Sequence, residues 1–251
     1  MTLNLPAGYR LVDLDTVAST NDEALRLAGG GAEEGVLVRA RQQTAGRGRR
    51  GRTFDSPPGN LYVSLLLRPR MTPDRAALCG FAVSLALAET IDEVAPGLPR
   101  PACKWPNDVL VAGRKVAGIL IEASSTKDTI GSLIVGMGVN LISHPATADY
   151  PAGDLADLGA PPVTPDRFLE TLALGLDRWL GIWREVGMAG LRSAWLERAA
   201  GLGQAIEVRL DRESFAGRFR DLDADGALIL EIQGGQSRKI TAGAVFFPEA
   251  A

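Results

Sequence analysis

Six arginines (Arg39, Arg41, Arg47, Arg49, Arg50 and Arg52) fall within fourteen residues that hold no acidic side chain, in a chain whose net charge is −3. Such a run calls for an anionic partner, because guanidinium groups present forked donors that match phosphate and carboxylate oxygens. Gly46, Gly48 and Gly51 are interspersed with them and free the backbone to approach a ligand, which a merely solvated basic face would not need. Gly46-Arg47-Gly48-Arg49-Arg50-Gly51 also satisfies the G-x-G-x-x-G dinucleotide pattern, but that fingerprint opens a helix. Here the loop runs into Thr53-Phe54-Asp55-Ser56-Pro57-Pro58-Gly59-Asn60, whose breakers lead to a strand, so the dinucleotide reading fails on context.

Three later groups could share the work. Lys104-Trp105-Pro106-Asn107-Asp108 combines a cation, a ring, a proline-fixed turn and an Asn-Asp pair of the kind that meets hydrated magnesium or nucleotide oxygens. In Arg114-Lys115-Val116-Ala117-Gly118-Ile119-Leu120, Lys115 opens a strand whose small Ala117 and Gly118 admit a close neighbour. Gly136-Met137-Gly138-Val139-Asn140 ends another strand with two glycines and an amide. Each has a bland reading as well: a turn with a core tryptophan, a surface lysine, an ordinary strand end.

The elements that must hold these groups are legible in outline. Thr20-Asn21-Asp22-Glu23 reads as a T-x-x-E capping box opening a helix that Gly29 to Gly31 end, which puts Ser19 and Thr20 at a helix N-terminus. Strand patterns at Val36 to Gln42 and Asn60 to Arg68 flank the arginine loop. Thr72-Pro73 starts a helix whose stripe Leu78, Phe81, Leu85, Ala88 continues to about Val94. Val109 to Val111 and Val116 to Ile121 form a hairpin around Ala112-Gly113-Arg114, and Ile130 to Leu141 is a buried strand. Helices from Thr164-Pro165 to about Glu185 and from Leu191 to Ala199 complete an α+β domain. After Gly201 short strand-like runs joined by Asp-Gly and Gly-Gly turns predict a small β-barrel.

Taken in order, STN at Ser19, QTAGRGRRGR from Gln43, KWPND, GRKVAGILIE and GMGVN resemble the biotin protein ligases. The motifs span Ser19 to Asn140, and their common order is far more specific than any one alone. The resemblance implies a biotinyl/lipoyl protein ligase-like catalytic domain, a mixed β-sheet with flanking helices, over 1–200, followed by an SH3-like β-barrel over 201–251. It implies that biotin and ATP with Mg²⁺ give biotinyl-5'-AMP, from which biotin passes to a lysine of a biotin carboxyl carrier protein of a carboxylase. By the same resemblance Ser19, Thr20, Asn21, Gln43, Gly46, Arg47, Gly48, Arg49, Lys115 and Gly118 meet biotin, with Lys115 and Arg49 catalytic. Arg52, Asn107, Asp108 and Asn140 then serve ATP, and Asp108 influences the metal directly or through water. Phe54 stands where many relatives carry tryptophan, keeping an aromatic face without the indole donor.

Composition limits the alternatives. With 46% apolar and 23% charged residues the chain is an ordinary globular protein, and no uncharged apolar run approaches the roughly 18 residues of a membrane span, so a cytoplasmic location is expected. Cys79 and Cys103 lack any metal or disulfide spacing and read as core side chains. The chain starts eighteen residues before Ser19, too few for the winged helix of the relatives that repress transcription. Direct DNA binding would explain the arginines but leaves KWPND and GMGVN unexplained, and a lipoate or octanoate ligase is opposed by the complete arginine loop. His144 reads as a solvated turn residue, and the sequence leaves the oligomeric state open, a homodimer among the possibilities.

Overall fold

The computed structural model describes residues 3–126, 129–146, 150–210 and 212–248; the outer ends of the two predicted units, residues 1 and 251, lie outside them. Strands β1 (Arg10–Val17), β2 (Val36–Gln43), β3 (Leu61–Leu67), β4 (Ala102–Lys104), β5 (Asp108–Val111), β6 (Arg114–Thr126) and β7 (Thr129–Val139) form one sheet ordered β1-β2-β3-β7-β6-β5-β4. Only β1 and β2 run parallel, so the sheet is mixed. Helix α1 (Thr20–Gly29) covers one face. Helices α2 (Pro73–Ala77), α3 (Cys79–Val94), α4 (Pro165–Val186) and α5 (Met188–Leu196) lie towards the other.

Burial on both faces explains why β3, Leu-Tyr-Val-Ser-Leu-Leu-Leu, is a continuous apolar run with one polar interruption. With a side-chain period of two, Leu61, Val63, Leu65 and Leu67 enter the main core with α3 and α4, while Leu66 packs towards α1 against Ala24 and Ala28. Ser64 faces the α1 side, fully buried.

The predicted capping box does not form. Ser19 is the N-cap and makes no side-chain cap bond; the amide and hydroxyl of Thr20 both donate to Gln43 Oε1, at 2.8 and 3.1 Å, while Glu23 pairs with Arg26. A side chain from the neighbouring strand thus does the work of a cap. The predicted helix from Thr72 is two helices, broken at Leu78; β1, where Asp13, Asp15 and Thr16 interrupt the apolar residues, and β4, only three residues long, were not read from sequence.

Beyond Gly201 the strands β8 (Ala205–Arg209), β9 (Ser214–Leu222), β10 (Leu228–Glu231), β11 (Ser237–Ile240) and β12 (Ala244–Phe246) form an antiparallel sheet ordered β11-β10-β9-β8-β12. Among the described residues this small SH3-like domain does not close into the predicted barrel, because β11 and β12 pair on one side only. Its apolar face, including Ile206, Phe219, Leu228 and Leu230, instead joins the same core as α3 and α5, so another layer seals what barrel closure would have sealed.

Candidate active site

One row of cross-strand partners builds the floor: Tyr62 on β3 opposes Gly138 on β7, which opposes Gly118 on β6, which opposes Asp108 on β5, which opposes Lys104 on β4. Two bare positions thus separate an aromatic ring from a charge cluster. The space is filled from above. A Cβ on Gly138 would lie 2.5 Å from the Phe54 ring, and one on Gly118 would lie 3.2 Å from Lys115 Nζ. In a regular strand residues 115 and 118 would face opposite sides. The register slips between Val109 and Leu110, leaving Val116 without a partner there, and this bulge returns Lys115 to the side of Gly118.

Lys115 Nζ then sits 2.6 Å from Asp108 Oδ1, and Lys104 Nζ sits 3.4 Å from Asp108 Oδ2. Burial alone would push the Asp108 carboxyl up; the charges of Lys115 and Lys104 outweigh it and hold Asp108 below the usual carboxylate range. Burial also lowers the pKa of Lys104, which is only 5% exposed and lies 4.2 Å from the centre of the Tyr150 ring. Arg49 reaches in from the loop to give Asn107 Oδ1 a 3.0 Å hydrogen bond, and Asn107 Nδ2 donates to the Ile119 carbonyl. Desolvation and the charge of Arg50 lower the Arg49 guanidinium from its ordinary value.

These groups line a cavity of about 550 Å³ together with Arg50, Arg52 and, from the C-terminal sheet, Gly243, Ala244 and Phe246. A smaller pocket of about 60 Å³ adjoins it, sharing Gly48, Arg49, Phe54, Asn107, Lys115 and Gly118, and is closed by Ser19, Thr20, Asn21 and Gln43. Its floor is a connected hydrogen-bond network. Ser64 Oγ lies 2.6 Å from Asn21 Oδ1 and 2.7 Å from Thr20 Oγ1; Asn21 Nδ2 donates to Glu122 at 2.6 Å; Gln43 Nε2 donates to Ser56.

Of the residues expected from sequence, Ser19, Thr20, Asn21, Gln43, Arg47, Gly48, Arg49, Asn107, Lys115 and Gly118 line the small pocket, and Arg52, Asp108 and Asn140 line the large one. Gly46 lines neither; a Cβ there would lie 2.4 Å from the Phe54 carbonyl, so its role is to let the loop pack. Asn140 Nδ2 donates to the Gly153 carbonyl, which ties residues 151–155 along the cavity wall. Sequence reasoning missed Ser64, Tyr150 and Phe246 and gave no role to Lys104, Asp22 or Glu122. The lone serine inside a buried strand was a usable signal, whereas nothing near Tyr150 or Phe246 pointed to a cavity.

Two other features bear on metal and on the C-terminal sheet. His144, Asp154 and Asp157 come close enough for a cation, but Arg114 already lies there, 3.2 Å from His144 Nε2 and 3.0 Å from Asp157, while His144 Nδ1 faces Asp154 at 2.6 Å. His144 is therefore a structural pin, more engaged than a solvated turn residue. Trp105 Nε1 donates to the carbonyl of Gly226, fastening the KWPND turn, with its cis Trp105-Pro106 bond, to the small sheet.

A mixed sheet whose glycine-cleared row joins a small polar pocket to a larger cationic cavity suits a small polar ligand held beside an anionic one. Residues 15–140 match the Biotin/lipoate A/B protein ligase family, and residues 201–247 match the Biotin protein ligase C terminal domain. The chain is 41% identical over 239 residues to a biotin--[acetyl-CoA-carboxylase] ligase of Paracoccus denitrificans, covering 91% of this chain and 97% of that protein. It is 31% identical to the bifunctional ligase/repressor BirA of Bacillus subtilis, covering 91% of this chain and 71% of the relative. Biotin protein ligase from Aquifex aeolicus, solved in complex with biotin and ATP, superposes with a TM-score of 0.80 at 26% identity, covering 94% of this chain and 97% of that one. The chain belongs to the biotin protein ligase family.

Proposed function

We propose that the enzyme activates biotin with ATP as biotinyl-5'-AMP and transfers it to a lysine of the biotin carboxyl carrier protein of acetyl-CoA carboxylase. The observation that carries this reading is the junction of the two cavities at Lys115, where a small polar pocket for the ureido ring meets a cationic cavity for the nucleotide. A flat donor-acceptor ring suits Ser19, Thr20, Asn21 and Gln43, whose hydroxyls and amides can both give and accept. Its carboxylate then points past Gly118 to Lys115. The biotin carboxylate attacks the α-phosphate and diphosphate leaves; a compact ammonium at the junction offsets the charge that builds in that transition state. Arg49 closes over the same point, and Arg52, Asn107, Asp108 and Asn140 serve the nucleotide. The carrier lysine later attacks the acyl carbon and AMP leaves. No protein side chain is acylated, so catalysis is positioning and charge stabilisation.

Magnesium enters this reading as part of the substrate, bound to ATP phosphates. Both Asp108 oxygens face ammonium groups, a donor set that favours an effect on that magnesium through water over direct coordination. Residues 1–200 form the catalytic unit and 201–251 the unit that completes the cavity wall. The reaction runs in the cytoplasm; among the described residues no helix is long and apolar enough to cross a membrane. Sedimentation velocity with biotin and ATP distinguishes a single working chain from a homodimer.

Diphosphate release from ATP and Mg²⁺ without carrier, with biotin, lipoate and octanoate in parallel, tests the reading. Release with biotin alone is expected. Release only with the other two acids would refute the substrate assignment, and release with none would refute the activating step.

A further inference from the structure

The arginine loop is held by acids that the chemistry itself does not require. Arg47 Nη1 and Nη2 each lie 2.6 Å from an oxygen of Asp22, and Nη2 also lies 3.2 Å from both oxygens of Glu122. Both terminal nitrogens of this guanidinium are thus engaged by carboxylates. Arg49 differs, since it donates to the neutral Asn107, and its neighbours Arg50 and Arg52 line the larger cavity. Arg47 therefore works as a strut rather than as an anion receptor.

The strut joins three parts of the site. Asp22 lies in the first turn of α1, directly after Asn21; Glu122 lies on β6, seven residues after Lys115, and also accepts from Asn21 Nδ2 at 2.6 Å. The loop end is self-bonded: Gly48 N donates to the Arg52 carbonyl and Phe54 N to the Gly46 carbonyl. Fixing Arg47 consequently fixes the span that carries Gly48 and Arg49 over the small pocket.

We propose that Asp22 and Glu122 are positioning residues, a carboxylate clamp that holds the arginine loop closed through Arg47 and so slows the release of biotin and its adenylate. The inference rests on placing biotin in the small pocket. The side chains of Asp22, Arg47 and Glu122 are 48, 37 and 40% exposed, so the clamp is partly screened and sensitive to salt.

The test is release of radiolabelled biotin, and of biotinyl-5'-AMP formed on the enzyme, at low and at molar salt. Asp22→Asn keeps the shape and removes the charge. It is expected to release both ligands about two- to fivefold faster at low salt, the range of exposed ion pairs, with the difference vanishing at molar salt. Biotin KM should move more than kcat, and Asp22→Glu should restore the salt dependence of the wild type. Equal release rates at low salt, or an acceleration that persists at molar salt, would overturn the clamp. Asn21→Ala separates the two levels. If it leaves biotin affinity unchanged, the placement of biotin itself fails; if it weakens biotin while Asp22→Asn releases like wild type, only the clamp fails.

Discussion

Adding one methyl group at Gly136 should weaken both biotin binding and the fold. A Cβ there would lie 2.3 Å from Asn21 Oδ1, 3.0 Å from its Cγ and 3.1 Å from its Nδ2, so the whole carboxamide must move. It has little room to do so, being 4% exposed and fixed from Ser64 and to Glu122 by contacts of 2.6 Å each. Displacing it breaks at least the bond to the Glu122 carboxylate, worth about 1.5–3 kcal/mol for a charged acceptor. That loss falls on stability, together with about 1–3 kcal/mol of overpacking; biotin affinity in Gly136→Ala falls through the displaced carboxamide's own contact with the ureido ring, about 0.5–1.5 kcal/mol or roughly two- to tenfold. Titration calorimetry with biotin and urea denaturation measure the two. In Asn21→Ala with Gly136→Ala the clash has no target, so the double variant should bind biotin no worse than Asn21→Ala alone. Additive losses, or normal biotin affinity in Gly136→Ala, would refute the geometry of the pocket floor.

Lys115→Ala should lower the rate of biotinyl-adenylate formation by about a hundredfold or more, as loss of a charge-stabilising donor does, and biotin affinity by much less; equal losses in single-turnover and binding assays would contradict a transition-state role. Asp108→Asn leaves Lys104 and Lys115 facing each other without their shared carboxylate, and stability should fall by about 3–5 kcal/mol as for other broken buried pairs. The folded-state value of Asp108 lies below 3.8, so its stabilisation is present above that value and is lost as pH falls through the lower folded one; denaturation midpoints against pH should show this acid loss in the wild type and not in Asp108→Asn. Trp105→Phe keeps the ring but removes the donor to Gly226, and a thermal or urea melt should register a loss of about 1 kcal/mol.

The motifs Ser19 to Asn21, the arginine loop, KWPND, GRKVAGILIE and GMGVN were readable because residue type and spacing are local and their common order is specific where each alone is not. Strands β3 and β7 were readable because sheet faces buried on both sides impose long apolar runs, and β2 by its opening Val36-Leu37-Val38. The Thr20 capping box misled because its competitor, Gln43, is 23 residues away and visible only once β2 lies beside α1. The barrel was overread because short alternating strands say how strands pair but not whether the last meets the first. Lys115 and Gly118 were each singled out, yet only the bulge at Val116 turns both to one side, and a register slip leaves no local signature. Sequence by itself thus singled out most of the groups that line the two cavities and most of the elements that carry them, since side-chain chemistry and hydrophobic period are local properties. Tertiary structure alone decided that Tyr62, Gly138, Gly118, Asp108 and Lys104 stand in one row, that Arg47 is clamped by Asp22 and Glu122, and that Phe246 closes the cavity, because such contacts depend on strand order and on distances the chain does not encode locally.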